Sequence, residues 1–438
     1  MRVALLIAAL LALAAGTASA GASAGASADA WDTILASRLQ ESQAYRQAAL
    51  KVAAAELDEK DYSQPYLPTV ALATSDKTGI GIQNGSFTGA TLATSLTMSG
   101  LFGADLALTA PVTVSPSGEI GAGDPSLTLT RKLFAETAAG RLQAQAALIR
   151  ARAALRDARE AVELELATDV LDVAYYRRLL DANRENLVVL ERVKAATTTS
   201  AAAASDESAL REIERRILQA RKSILSAQAA LDAQDAPIKD NSDALYAAVL
   251  SKGESLTASR AATGASGSAE IRALELEAEA AEKRSALAIL PYIPNPTFAA
   301  SLSYDVDQAE LDWGLSLQFS VTLLDKGERA LSTLQRKENA ALARLALAAE
   351  EKSLAADAKK AGNSLTSLEL DREIKALDIE DEEENVATLE SLFAGEYTSE
   401  ENLVIGRIDL SVVRLEAQKI DSDILLQKMK LAALTDEE

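Results

Sequence analysis

The sequence predicts a mainly α fold with β, built as a duplicated unit in which strands lead into a long helical hairpin. Three observations predict it. Residues 141–236 contain neither Gly nor Pro, and residues 297–438 contain no Pro. Ala-rich stretches without those two residues favour helix. Residues 66–134 and 292–322 are instead rich in Thr, Ser, Val, Leu and Gly, and they alternate apolar with polar side chains. That period of two marks strands with unlike faces. Both features recur in the same order, which marks an internal duplication.

Residues 1–20 are expected to be a secretory signal. Arg2 supplies the charge, Val3 to Ala15 the short apolar run, and Ala18-Ser19-Ala20 the cleavage site. The run falls short of the roughly 20 residues a spanning helix needs. No later segment is long and apolar enough to be one.

In the strand regions, alternation is clearest in Ser126-Leu127-Thr128-Leu129-Thr130 and in Leu315-Ser316-Leu317-Gln318-Phe319-Ser320-Val321. Asp105 to Thr109 and Thr297 to Tyr304 share it. These regions hold nine of the 17 aromatic residues. Bunched aromatics suit a membrane-interface girdle, and they also suit any strand. Both readings stand at this level. The first region is much longer than the second, and an extra hairpin is expected at Gly100-Leu101-Phe102-Gly103.

The helical regions carry heptads. Leu210, Ile217, Ile224 and Leu231 recur every seven residues, with Ile213, Ala220 and Ala227 between them. Leu403, Leu410, Ala417, Ile424 and Leu431 do the same. From Val162 to Val173 the step is eleven, a stutter that unwinds a supercoil locally. Gly395 is expected to end one helix as its left-handed residue, and Thr398-Ser399-Glu400-Glu401 to cap the next. In the first half the break is expected at Thr197 to Ser200, with Ser205 as cap. Residues 253–267, rich in Ser, Ala and Gly, are expected to be a flexible linker. The acidic run Glu380 to Glu384 is expected to be a solvated helix face, with a lumen lining as the alternative.

Composition excludes several chemistries. The chain has no Cys and no His, so it has no disulfide, no Cys/His zinc site and no Ser-His-Asp triad. No enzyme motif frames its carboxylates, no nucleotide-binding loop is present, and no cofactor is expected. The net charge of −21 disfavours nucleic acid.

The repeat has an internal echo. Tyr66-Leu67-Pro68-Thr69-Val70-Ala71 matches Tyr292-Ile293-Pro294, with Thr297-Phe298-Ala299 close behind. Leu133-Phe134 leads to Gly140-Arg141, and Leu323-Leu324-Asp325 leads to Gly327 and Arg329. A helix of about 60 residues is about 90 Å long, far longer than a bilayer is thick. Strands lying in lipid need both edges paired, and four or so strands cannot close a barrel alone. A membrane reading therefore requires several copies.

In this order of motifs the chain resembles the TolC family of outer-membrane efflux proteins over its whole mature length. The resemblance implies a homotrimer at the outer membrane, extending into the periplasm. It implies an α-barrel tunnel and a shared outer-membrane β-barrel, with two strands per repeat and twelve in all. It implies domains at 1–20 (signal), 21–236 (first repeat), 237–267 (equatorial segment) and 268–438 (second repeat). The implied function is the exit duct of an efflux or type I secretion system, not an enzyme. Its implied partners are a periplasmic adaptor, an inner-membrane pump and outer-membrane lipid.

A duct needs a gate rather than a catalyst. In the family, acidic side chains of the last repeat ring a constriction where the hairpins turn. The family's paired aspartates fall here on Val404 and Arg407, or near Asp409. The candidates at the tips are Asp206, Glu207, Glu400, Glu401, Arg407 and Asp409. Such acids either line a ring or complement the dipole of a helix start. Arg407 is expected to pair with Asp409 or with a neighbouring helix and hold the tip closed. The competing reading of the whole chain is a secreted coiled-coil stalk or adhesin with no pore.

Overall fold

The structure, a computed structural model, describes residues 25–64, 66–74, 80–83, 86–101, 104–132, 134, 136–199, 207–259, 268–289, 292, 296–306, 308–319 and 326–435. The expected signal at 1–20 lies outside these residues. The chain divides into two compact units. One draws on Met1–Gln43, Arg159–Thr263 and Asp357–Asp436, the other on Ala44–Ala158, Gly264–Ala356 and Glu437–Glu438.

The second unit carries the sheet. The chain enters it from α2 (Gln43–Ser63), which follows α1 (Gly25–Glu41). The strands are β1 (Thr69–Thr74), β2 (Ile80–Gln83), β3 (Ser86–Leu101), β4 (Ala104–Val114), β5 (Ile120–Ala122) and β6 (Ser126–Lys132). The second repeat adds β7 (Thr297–Asp305) and β8 (Glu310–Gln318). All pairings are antiparallel, and the sheet runs β1-β3-β4-β6-β7-β8. Short β2 pairs with β3 beyond β1, and β5 pairs with β4 beyond β6. Each thus continues its neighbour's line.

The first repeat therefore contributes four strand lines, not the two that the resemblance implied. The extra hairpin joins β3 to β4, with Leu101 opposite Ala104. Phe102 and Gly103 lie outside the described residues. The break between β5 and β6 has a local cause. Pro111 of β4 lacks an N–H, and its carbonyl accepts the Gly123 N–H at 2.9 Å instead of a regular ladder bond. A Cβ on Gly123 would sit 2.9 Å from Pro111 Cγ. Pro interrupts a ladder in this way.

Register gives the sheet one apolar face. Val70 lies opposite Leu96, Leu96 opposite Leu108, Leu108 opposite Leu127, and Leu127 opposite Leu302. Leu302 in turn lies opposite Trp313. On the other face, Ala71, Ser95, Thr109, Ser126, Ser303 and Asp312 form a parallel row. Trp313 is 73% exposed and Leu72 66%, so the apolar face is left uncovered by this chain.

Below the sheet this unit packs helices against one another. They are α2, the first part of α3 (Thr137–Thr199), α7 (Ala269–Ala286) and the first part of α8 (Glu328–Ala394). Arg150 of α3 grips Glu270 and Glu277 of α7. The hydrogen bond to Glu270 holds its guanidinium well above its ordinary pKa. Gly140 lets α3 pass close to Tyr62, whose Oη would be 2.8 Å from a Cβ there.

Among the described residues the first unit is built of helices and their turns, without a strand. It holds α1, the rest of α3, α4 (Glu207–Asp232), α5 (Ala236–Asp240), α6 (Ser242–Ser259), the rest of α8, and α9 (Glu400–Thr435). Its core gathers Trp31, Leu35, Val162, Leu166, Val170, Ile238, Leu245 and Val249. The heptad reading of α4 and α9 holds at Ile213, Ile217, Ala220 and Ala227 and at Leu403, Leu410 and Ile424, all buried. Residues 253–259, expected as flexible linker, are the last turns of α6. Gly253 is there because Leu425 of α9 packs where a Cβ would stand, 1.8 Å from its Cδ1. Residues 260–267 lie outside the described set.

Candidate functional site: the helical hairpin tips

The turn between α8 and α9 is built by a chain reversal with two bonds. The Tyr397 N–H donates to Leu392 O at 2.8 Å, and the Glu396 N–H to Phe393 O at 3.0 Å. This is the Schellman arrangement. Its left-handed residue is Glu396, with φ 60°, not Gly395 as expected. Gly395 serves another need: a Cβ there would stand 2.7 Å from the Tyr397 ring. The ring folds back over the bare glycine.

The start of α9 is shifted by one residue from the expected capping box. Ser399, not Thr398, is the cap: its Oγ accepts the Asn402 N–H at 3.4 Å. The Asn402 side chain reaches back to Thr398 Oγ1 at 3.1 Å. Asn402 takes the place that Glu or Gln fills in the usual box.

Behind the turn, α8 and α9 are rung together by ion pairs. Arg407 bonds Glu390 at 2.8 Å, Arg414 bonds Glu383 at 2.7 Å, Lys375 bonds Glu416 at 2.9 Å, and Arg372 bonds Asp421 at 2.9 Å. Arg407 and Arg414 are seven residues apart, as are their partners Glu390 and Glu383 on the antiparallel helix. Gly406 permits the close approach, since a Cβ would lie 2.7 Å from Leu389 Cδ1. Arg407 thus pairs with a neighbouring helix, and not with Asp409. Both Arg407 and Glu390 are about half exposed, 58% and 49%. With Phe393, Glu400, Leu403 and Val404 they line a shallow groove at the tip.

Asp409 points the other way and joins the two hairpins. Its Oδ1 accepts from Arg216 of α4 at 2.7 Å. Arg216 also bonds Glu212 at 3.1 Å. The hydrogen bond to Asp409 raises the guanidinium pKa further. The Arg215 hydrogen bond, with that of Arg216, lowers the Glu212 carboxyl below its ordinary value. Around this link lies an apolar cluster of Leu190, Val193, Ile213 and Ile217, with Val404 and Ile408 packed on it. Farther along α9, Asn186 bonds Ser411 at 3.5 Å and Lys419 bonds Asp172 at 3.0 Å.

Of the six expected tip residues, the structure brings Glu400 and Arg407 to one groove and commits Asp409 to Arg216. Asp206 lies outside the described residues. Glu207 is the first residue of α4 and Glu401 the second of α9, in first turns where acids suit the helix dipole. Sequence reasoning missed Arg216 and Glu390. Neither carries a local signal, because the partner of each lies on another helix, far away in sequence. Among the described residues no group of acidic side chains is placed to hold a metal.

No family model and no curated protein sequence matches the chain. Its fold, however, matches solved outer-membrane channels over nearly their whole length. The outer-membrane channel OprN superposes with a TM-score of 0.62 at 12% identity, covering 94% of this chain and 90% of that one. The outer-membrane protein VceC from Vibrio cholerae gives 0.59 at 13%, covering 93% and 96%. The MtrE outer-membrane channel of Neisseria gonorrhoeae, solved in its open state, gives 0.58 at 14%, covering 92% and 88%. The chain therefore has the TolC-type outer-membrane channel fold, mostly helical with a minor antiparallel sheet.

Proposed function

We propose that this protein is the outer-membrane exit duct of an efflux or secretion system and works as a homotrimer. The two-faced sheet carries this reading. Its apolar face is uncovered, its other face is lined by Ser, Thr, Ala and Asp, and its strands are near the 9–11 residues that cross a bilayer. Phe298 and Tyr304 sit on the apolar face at opposite ends of β7, about 20 Å apart at 3.4 Å per residue. Along a tilted strand that separation fits within the apolar band of an outer-membrane barrel, about 25 Å tall. No helix of the described residues is long and apolar enough to cross a membrane, so the sheet would be the membrane element. A coiled-coil stalk has no use for such a sheet and is not favoured.

The long hairpins would form the periplasmic tunnel, with their tips meeting an adaptor protein joined to an inner-membrane pump. Energy would come from that pump. The gate would be the hairpin of α8 and α9, tethered to the first hairpin through Arg216 and Asp409 and stiffened by Arg407 and Glu390. Opening would separate α9 from α4 while leaving each hairpin whole. Nothing in this scheme requires catalysis.

The test is planar-bilayer recording of the purified protein, paired with membrane fractionation. Discrete channels from an outer-membrane protein are expected. A protein recovered soluble from the periplasm, with no conductance in either the wild type or Arg216→Ala, would refute the duct.

A further inference from the structure

We infer that three copies of this chain close an 18-stranded barrel, with β1 of one copy pairing to β8 of the next. The inference rests on the trimeric-duct reading and departs from the twelve strands that the family resemblance implied. The sheet path has six strands, β1-β3-β4-β6-β7-β8, and three such paths give 18. Among the described residues β1 pairs only with β3 and β8 only with β7, so both edges are open.

Four features point to a second copy as the occupant of these edges. A strand edge in lipid leaves N–H and C=O groups with neither water nor a ladder partner, which strongly disfavours an open edge there. Six antiparallel strands make an even number, so β1 and β8 run in opposite directions and meet as an antiparallel pair. The added strands are no outlying flap: β4 bonds β6 over Asp105 to Thr109 and β3 over Ala90 to Leu101, which places them inside the continuous wall. Finally, the apolar face runs unbroken from Val70 and Leu72 to Leu315 and Leu317. A wall whose faces keep their sign from edge to edge joins its own copy without a fault.

The consequence is a wider mouth. Barrel diameter grows roughly linearly with strand number, and 16–18 strands leave an open aqueous lumen. Eighteen strands make the outer-membrane lumen about 1.5 times as wide as twelve would. Its lining would be small side chains: Ala71, Ser95, Thr109, Ser126 and Ser303 stand on that face.

End-on cryo-electron microscopy of the wild-type protein in detergent tests this directly. Three copies around 18 strands are expected. A second measurement uses the absence of native Cys: Ala71→Cys is combined in turn with Asp312→Cys, Ser316→Cys or Gln318→Cys, all on the lumen face. Oxidation is expected to give a covalent three-copy band from at least one pair. A trimer of twelve strands, in which Ala107→Cys and not Ala71→Cys links to β8, would overturn the inference and leave the duct reading standing. A monodisperse single copy would overturn both.

Discussion

Arg216 of the first hairpin bonds Asp409 of the second at 2.7 Å, across 193 residues of sequence. It holds Glu212 on its own helix at the same time. One guanidinium thus adds a polar link between α4 and α9 to the apolar packing of Val404 and Ile408. Arg suits this role because its planar fork bonds two carboxylates at once.

Arg216→Ala is expected to raise open probability in planar bilayers. Loss of a charge-assisted hydrogen bond at a half-exposed site is worth about 1 kcal/mol, or roughly fivefold per protomer. Arg216→Lys should keep part of the effect. Arg407→Ala breaks a more exposed pair worth about 0.5 kcal/mol, roughly twofold. An open probability equal to that of the wild type in all three variants would leave both pairs without a role in the proposed opening.

The ion pairs beside the tether should respond to acid and base. The Glu212 carboxyl is held below its ordinary value of 4.5. A depressed carboxylate contributes fully above its unfolded pKa, and the contribution fades as pH falls through the lower folded value. Because Glu212 bonds Arg215 and Arg216 of its own helix, α4 should be equally protected from hydrogen exchange from about pH 6 to 8 and lose protection below about pH 4.5. The Lys375 rung runs the other way. Its hydrogen bond to Glu416 raises its pKa above 10.5, so that rung is present below pH 10.5 and is lost only as pH climbs beyond it. Hydrogen exchange of α4 and of the α8–α9 hairpin, recorded against pH, checks both signs.

Glu396→Gly should stabilise the α8–α9 turn. A non-glycine residue in the left-handed region costs about 1 kcal/mol, and Glu396 sits there. Hydrogen exchange at the Tyr397 amide, which closes the turn, should slow by roughly fivefold. Faster exchange would mean that the Glu396 side chain holds the turn in a way its backbone does not reveal.

Trp31→Ala should unfold the helical unit first. Trp31 is 1% exposed and sits among Leu166, Val170, Leu245 and Val249. Truncating a buried Trp costs about 3–5 kcal/mol. Lys252 lies over its ring at 4.7 Å and would lose that contact as well. Limited proteolysis should then cut α1 and α6 before the sheet.

Leu315→Arg and Ser316→Arg separate the two faces of β8. Arg on a lipid-facing position near the bilayer midplane costs about 2–4 kcal/mol, so Leu315→Arg should lower the amount of trimer in the outer membrane. Ser316→Arg, facing the lumen, should assemble and shift ion selectivity towards anions. If both variants assemble equally well, the apolar face does not meet lipid.

Much of the fold was legible in local pattern. The Gly- and Pro-free stretch 141–236 became α3 and α4, and Ser126 to Thr130 became a strand with Leu127 and Leu129 on one face. The hairpin at Gly100 to Gly103 was legible because two alternating runs flank a glycine pair. The linker expectation for 253–259 failed because Ser and Gly also permit helix where a neighbour presses close, as Leu425 does on Gly253. The contacts at the hairpin tips were the least legible part. Arg407 and Asp409 are two residues apart, so on a helix they point to different neighbours, and no periodicity says which neighbour lies there.

By itself the sequence determined the elements, their faces and their duplication, because period and helix breakers act within a turn or two of the chain. Tertiary structure alone decided which elements meet. It placed β6 beside β7, with Ser126 opposite Ser303, and it opposed Arg216 to Asp409. Backbone ladders and ion pairs are chemically alike wherever they form. Their partners are therefore chosen by how the apolar faces pack, and that choice is made between residues far apart in the chain.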